Sequence, residues 1–445
     1  MILLPKDYGC QQVLLNRSLL VHPILEYLCN QAHRLTNCGI YYGRQIWFQE
    51  RRYLKKFDLI NELKSSLNYQ SLYSQCAQQV LLAVVESFKS FYELDKKSRN
   101  GELDQKPRLP SYRKNGLAVV TYPKQALKLV GGEIRIPLGQ TVKAWFGIDY
   151  FTVPAPSNID FALIKELRIL PRNREFYAEW VYEQQPVRQI KLNERWVLGI
   201  DPGVTNWLTC IENSFGGNSF IIDGRHVKSV NKWYNKQIAC IKEGKPQGFW
   251  SKKLATITEK RNRQMRDAVN KAARIVINYC LKNRIGNIVF GWNKGQRQES
   301  SLGRRNNQTF VQIPTCRLKE RIECLCKRHG IKFVETEESY TSKASFLNRD
   351  PLPTYGEKPD RWKPSGRRTK RGLYRSLWYG TINADCNGAA NIIRKVAATS
   401  GFDLDGVGMG ALTRPTRIKI WVTAKNVKGH GFSLPRSVNL ESPRL

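Results

Sequence analysis

Asp201 ends an apolar run, Val197-Leu198-Gly199-Ile200, and is followed at once by Pro202 and Gly203. An apolar run closed by an acid and two breakers reads as a buried strand entering a turn, with one carboxylate presented at the strand's end. A carboxylate there either shapes the turn or ligates a hard cation, and this stretch by itself leaves both readings open. A second acid, Asp385, opens a helical run, Asn387-Gly388-Ala389-Ala390-Asn391-Ile392-Ile393. A further group, Glu335, Glu337 and Glu338, follows the apolar stretch 331–334. Carboxylates from separate elements that meet at one point are what two-metal cleavage of nucleic acid requires. Two Mg2+ ions about 4 Å apart clamp the attacking and leaving oxygens, and the acids hold the ions.

The elements around these acids are those that would bring them together. Strands are expected at 197–201, 206–211, 220–222, 288–290 and 331–334. A long basic helical region from about 227 to 283, broken at 244–248, follows the third strand, and a helix at about 314–329 follows the fourth. A loop dense in Pro, Gly and Arg spans 348–376, and the helix at Asp385 closes the series. Three strands, a helix, a strand, a helix, a strand and a closing helix is the order of an RNase H-like domain. In that order the first strand is central, the fourth and fifth lie on one side of it, and Asp201, the ends of those two strands and the start of the last helix converge.

Charge narrows the partners. The chain of 445 residues carries 73 Lys and Arg against 37 acids, a formal net charge of +36. That excess implies a polyanion, most often nucleic acid. No apolar run approaches the roughly 20 residues that span a bilayer, and the stretch 1–7 lacks a signal peptide's charged start and long apolar core. The expectation is a cytoplasmic, nucleoid-associated protein with no membrane partner and reduced cysteines. The 11 cysteines are scattered with no Cys-x-x-Cys; Cys324 and Cys326, the nearest pair, fall in a helical pattern. They read as core or incidental thiols, and no zinc is expected.

The N-terminal part reads differently. Residues 11–100 are expected to be helical, one helix capped by Ser71 with Leu72, Cys76, Val80, Val84, Phe88 and Phe91 on one face, and another interrupted at Pro23. The segment 38–56 interleaves Tyr41, Tyr42, Trp47, Phe48 and Tyr53 with Arg44, Arg51, Arg52, Lys55 and Lys56. Such a mixture either stacks on bases and pairs with phosphates or forms an amphipathic helix with aromatic core residues. Beyond a boundary near 96–110, short strands at 133–137, 164–170 and 176–183 suggest a small β-barrel.

On these motifs the chain resembles the TnpB family, transposon-encoded RNA-guided DNA endonucleases related to the type V CRISPR effectors. The residues that carry the resemblance are Gly199-Ile200-Asp201-Pro202-Gly203, Tyr340-Thr341-Ser342-Lys343 and the run Asn383-Ala384-Asp385-Cys386-Asn387-Gly388-Ala389-Ala390-Asn391-Ile392, with Pro107-Arg108-Leu109-Pro110-Ser111-Tyr112 in support. The resemblance implies an α/β RNase H-like (RuvC) nuclease domain over 191–400, with a basic insertion at 347–380. It also implies a wedge-type β-barrel from 1–10 plus 105–190, which carries a helical recognition insertion at 11–104, and a C-terminal tail at 401–445. The implied partners are a guide RNA derived from the transposon end and double-stranded target DNA bearing a short adjacent motif.

Two departures from the family pattern matter. The family ends its fourth strand with a catalytic Glu, and here Gly291 stands at that position. The family also carries a zinc ribbon before its last catalytic Asp, whereas no cysteine lies between 327 and 385 of this chain. The insertion instead holds Arg361, Lys363, Arg367, Arg368, Lys370, Arg371 and Arg375. Either the nuclease is silent and the protein is an RNA-guided DNA-binding protein, or the carboxylate has moved to the end of the fifth strand. Period-two alternation puts Glu338 on the face of Val334 and Thr336, and Glu338 is preferred to Glu337 because it stands beside Tyr340-Thr341-Ser342. The expected catalytic and metal-holding set is thus Asp201, Glu338 and Asp385 with two Mg2+, and the expected nucleic-acid-binding set is Arg367, Arg368, Lys370 and Arg371. A guide-independent RuvC-like resolvase is disfavoured by the basic N-terminal 190 residues.

Overall fold

In the computed structural model, which describes residues 7–15, 20–187, 189–214, 216–293 and 313–421, the chain divides between Pro186 and Val187 into two units. The first begins with β1 (Tyr8–Leu14) and then inserts α1 (Val21–Glu50), α2 (Lys56–Leu63), α3 (Leu67–Gln70) and α4 (Ser74–Arg99). It continues with β2 (Val120–Pro123), β3 (Lys128–Val130), β4 (Glu133–Pro137), α5 (Gln140–Phe146), β5 (Tyr150–Pro154), β6 (Ile164–Arg172) and β7 (Glu175–Glu183). The described strands pair as two antiparallel sheets, β1-β7-β6-β2 and β3-β4-β5. β6 turns into β7 through Asn173 and Arg174, both at positive φ, the twist that a two-residue hairpin loop needs.

Two local expectations change. Pro23 does not interrupt a helix, because it lies in the first turn of α1, where the missing N–H would have no intrahelical acceptor. Ser71 caps no helix start. Its hydroxyl donates to the Leu67 carbonyl at 2.8 Å, and α4 begins three residues later at Ser74. The apolar face is as expected: Leu72, Cys76, Val80, Val84, Phe88 and Phe91 are all buried. The aromatics in 38–56 differ in burial. Trp47 packs against the core, while Tyr41, Phe48 and Tyr53 are exposed and Arg44 lies over the Phe48 ring.

The second unit comprises β8 (Asn193–Pro202), β9 (Asn206–Glu212), β10 (Ser219–Asp223), α6 (Arg225–Lys242), α7 (Lys252–Lys282), β11 (Ile285–Gly291), α8 (Thr315–His329) and β12 (Lys332–Thr336). After these come β13 (Arg367–Lys370), β14 (Leu373–Ser376), β15 (Gly380–Asn383), α9 (Ala384–Ser400), α10 (Met409–Thr413) and β16 (Thr416–Ile418). The main sheet runs β12-β11-β8-β9-β10-β16. β8, β11 and β12 are parallel, β8, β9 and β10 antiparallel, and β16 is parallel to β10. β16 adds an edge strand from the C-terminal region to which the sequence reading assigned no role.

Both faces of this sheet are covered, which is why β11 is buried at every residue. Leu198, Ile200, Ile288 and Phe290 pack with α7 and α8, while Val197 and Val289 pack with Ala389, Ala390 and Ile393 of α9. Period two therefore puts Asp201 and Gly291 on the α9 side. The stretch 348–376, expected as a loop, contains β13 and β14, which join β15 in a three-stranded antiparallel sheet. Among the described residues no helix is long and apolar enough to cross a membrane.

Candidate active site

Glycines set the distance between β8 and α9. A Cβ on Gly199 would stand 2.4 Å from Ile393 Cγ1 and 2.7 Å from the Ala389 carbonyl oxygen. At the residue before Ala389, a Cβ on Gly388 would stand 2.8 Å from Asp201 Oδ2. Bare backbone at both positions lets the helix lie directly on the strand end that carries Asp201. Asn383 caps α9, its side-chain oxygen accepting from the Asp385 and Cys386 backbone N–H groups. Asp385 thus sits in the first turn, where the helix dipole favours a carboxylate.

The Glu338 corner is held from α9 as well. Its backbone N–H donates to Asn293 Oδ1 at 2.8 Å, and its carbonyl accepts from Thr341 Oγ1 at 2.8 Å. Asn391 donates to the Thr341 and Ala344 carbonyls, and Asn387, one turn earlier, donates to Ala344 and accepts from Phe346 N–H. The Asn-x-x-x-Asn spacing is thus a clamp between the last helix and the Tyr340-Thr341-Ser342-Lys343 loop, a role that spacing did not disclose.

Glu338 fills the space that a side chain on β11 would take. A Cβ built on Gly291 would lie 2.9 Å from both Glu338 Cγ and Glu338 Oε1, and 2.6 Å from Ile392 Cδ1. The neighbouring acids have cationic partners of their own. Glu335 pairs with Lys319 and Glu337 with Lys395. Burial pushes the Glu337 carboxyl up, yet hydrogen bonds from Lys395 and Ser339 hold it below the ordinary glutamate value. Glu338 acts on Asp201. Burial first, then the charges of Glu338 and Asp385, push the Asp201 carboxyl well above the usual carboxylate range, with Arg368 opposing them. Carboxylates so arranged favour a proton or a cation among them.

Asp385 is also engaged from outside the acid group. Asn206 Nδ2 donates to its Oδ2 at 2.6 Å, and Arg368 Nη2 to its Oδ1 at 3.2 Å. Asn206 Oδ1 is buried and accepts no hydrogen bond. Three carboxylates and an amide oxygen form an all-oxygen donor set, the chemistry that Mg2+ selects. Among the described residues, however, no group of three or more His, Cys, Asp or Glu already stands as a metal cluster. Asp385, one of the acids expected to hold the ion, is paired with Arg368 in this arrangement. Asn206 was missed as a site residue; its sequence signal was its place at the start of the second strand, five residues after Asp201.

The basic set divides in two. All four are exposed, but Arg368 turns to Asp385 and Arg371 Nη2 donates to Thr205 Oγ1 at 3.1 Å. Replacing Arg367, Arg368, Lys370 and Arg371 together with Ala is expected to weaken nucleic-acid binding. The log–log salt slope should fall by about two contacts' worth, at roughly 0.9 per contact, rather than four. Titrating binding against salt checks this, and an unchanged slope would make the run a solvated surface.

Residues 180–297 match the family model OrfB_IS605, a probable transposase. No curated protein matches the chain. One similar solved structure is a Cas12f1–sgRNA–target DNA complex, whose protein is 16% identical, with a TM-score of 0.54 over 84% of this chain and 83% of that chain. Another is the mini-RNA-guided endonuclease CRISPR-Cas_phi3, 10% identical, with a TM-score of 0.43 over 91% of this chain and 93% of that chain. The sheet and the first of these likenesses define an α/β fold. Within that class the chain resembles the TnpB family.

Proposed function

We propose that the chain is an RNA-guided, Mg2+-dependent DNA endonuclease of a transposable element. The observation that carries this reading is the placement of Asp201 against α9, where a Cβ on Gly388 would meet its Oδ2 at 2.8 Å, with Glu338 in the space beside Gly291. Burial first, then the charges of Glu338 and Asp385, raise the Asp201 carboxyl, which favours a proton or a cation there. Asp201, Glu338 and Asp385 would hold two Mg2+ ions, with Asn206 Oδ1 as a further oxygen. When bound, the ions supply a nucleophilic water and neutralise charge on the leaving oxygen. The chain's own contribution is positional. Asn206 orients the Asp385 carboxylate, Thr341 and Asn293 fix the Glu338 backbone, and Asn387 and Asn391 tie that loop to α9.

In this reading the strands from β1 to β7 form a wedge and the helices α1 to α4 a recognition insertion, while the nuclease runs from β8 to β16, because the region expected as a tail supplies the edge strand of its sheet. Sequence specificity comes from base pairing by RNA derived from the transposon end, with protein contacts to a short motif beside the target. Coexpression with the DNA flanking the gene, followed by sequencing of copurified RNA and cleavage of a plasmid library with randomised flanks in Mg2+, tests it. One discrete structured RNA and cuts beside one motif are expected. Random cellular RNA would overturn guidance. The second reading, a silent RNA-guided binder, is favoured by the Arg368–Asp385 ion pair at 3.2 Å. It wins if guided targets are bound and never cut.

A further inference from the structure

The chain leaves Glu338 through a turn whose shape its sequence opposes. The Glu338 carbonyl accepts from the Thr341 N–H at 3.2 Å and from the Thr341 hydroxyl at 2.8 Å, which closes a β-turn over Ser339 and Tyr340. Tyr340, the third residue, stands at φ +63°. Turns with that position in the left-handed region take Gly or Asn there, because a Cβ crowds the following carbonyl. Among the described residues Tyr340 is the one aromatic side chain at positive φ. The Tyr340 carbonyl then accepts from the Lys343 and Ala344 N–H groups, both at 3.0 Å, so the same residue also starts the next turn.

What holds Tyr340 there is its ring, which packs edge-on against Trp362 with centroids 5.3 Å apart and planes at 61°. Trp362 is itself fixed. Its indole N–H donates to the Pro351 carbonyl and its backbone N–H to the Pro359 carbonyl, each at 3.0 Å. The segment 350–365 that carries it is fastened to the Tyr340 loop by the buried Asp350, whose Oδ2 accepts from the Ser345 N–H at 2.7 Å and the Ser365 N–H at 2.9 Å. Lys395 of α9 donates to the Pro353 carbonyl at 3.2 Å. A strained residue persists only where its surroundings over-determine it, and such residues gather at functional sites. Here an aromatic pair does the holding, two positions from Glu338.

We propose that Tyr340 and Trp362 are positioning residues for Glu338. Their ring contact holds the turn 338–341 in its left-handed form, which directs the Glu338 side chain into the space beside Gly291, where a Cβ would meet its Cγ and Oε1 at 2.9 Å. Asn293 holds the Glu338 N–H and Thr341 its carbonyl, and the turn sets the direction in which the chain leaves the acid. The proposal rests on the reading in which Glu338 holds a metal ion. It gives the segment 350–365 a task at the carboxylate site that needs no contact with nucleic acid.

The test uses the full chain and reads metal binding apart from cleavage. The melting temperature is followed against Mg2+ concentration without guide or DNA, and cleavage by the guided complex against the same series. Trp362→Ala and Tyr340→Ala are expected to raise the Mg2+ needed for half of either response by roughly 10- to 100-fold, the usual effect of losing a residue that orients a metal ligand. Guided DNA binding should be unchanged. Trp362→Phe and Tyr340→Phe should stay near the parent, because the contact needs only a ring. Tyr340→Gly separates position from stability. Gly accepts the positive φ without strain, so this variant should melt above Tyr340→Ala in the absence of divalent ions, yet need as much extra Mg2+. In a Glu338→Gln background Trp362→Ala should shift the Mg2+ response no further, since effects that act through one group do not add. A full further shift there would make the ring pair a general support of the fold and overturn the proposal. Alanine variants that need no more Mg2+ than the parent would overturn it too, and the nuclease reading would then stand. A parent whose melting and cleavage both ignore Mg2+ would overturn that reading and this proposal together.

Discussion

Glu338→Gln is expected to abolish detectable DNA cleavage in the guided complex while leaving guided binding at parental affinity. Losing one preorganised stabiliser of transition-state charge costs roughly 100- to 1,000-fold in rate, and removing a carboxylate proposed to hold a metal should cost at least that. The neighbouring acids serve as internal controls. Glu335, paired with Lys319, should tolerate Ala, and Glu337, paired with Lys395 of α9, should give a smaller loss. The space opposite Gly291 sharpens the test. In the parent a side chain there would collide with Glu338 Cγ and Oε1, each 2.9 Å from its Cβ, so Gly291→Glu should destabilise the protein and restore nothing. In a Glu338→Ala background those atoms are gone and only the tip of Ile392 must yield, so Gly291→Glu should return part of the activity. A double variant no more active than Glu338→Ala would show that the two positions do not share one corner. Cutting that survives Glu338→Gln and dies with Glu337→Gln would move the ligand by one residue.

Asp201→Asn should be inactive and yet more heat-stable than the parent in the absence of divalent ions. The raised Asp201 carboxyl means that the folded state binds its proton more tightly than the unfolded chain does. The resulting stability is fully present below the usual aspartate range and is lost as pH rises through the raised value. The Asn variant carries no such charge, so the gap between the two melting curves should open as pH rises and narrow when Mg2+ or Mn2+ is added. Each kcal/mol of repulsion removed should raise the midpoint by roughly 2–4 °C. A variant no more stable than the parent at neutral pH would mean that the three acids do not repel one another. Gly388→Ala gives a companion measurement. Ala normally stabilises a helix interior by about 1 kcal/mol over Gly. Here its Cβ would meet Asp201 Oδ2 at 2.8 Å, so it should destabilise the protein and cut activity sharply.

How much of this was legible in the sequence follows from the range of each interaction. The order of strands and helices from β8 to β12, and the closing α9, could be read because hydrophobic period, breakers and caps act within a few residues. Asp201 and Asp385 were marked for the same reason, one by Pro202-Gly203 and the other by the start of a helical run. Composition likewise marked a polyanion partner through the excess charge of +36. The tertiary structure decided what depends on residues far apart in the chain. That Asp201 faces α9 follows from which helix covers which side of β8, and periodicity gives only the alternation, not the side. Only the packed sheet puts Glu338 in the space beside Gly291, 47 positions earlier in the chain, or brings Arg368 to Asp385 and Asn206 to its other oxygen. The stretch 348–376 read as a loop because its strands are four residues each and rich in Arg, too short and too polar for an alternation to register. They hold as strands because Tyr374 and Ile382 bury one face of the sheet against α9, a contact no local pattern encodes.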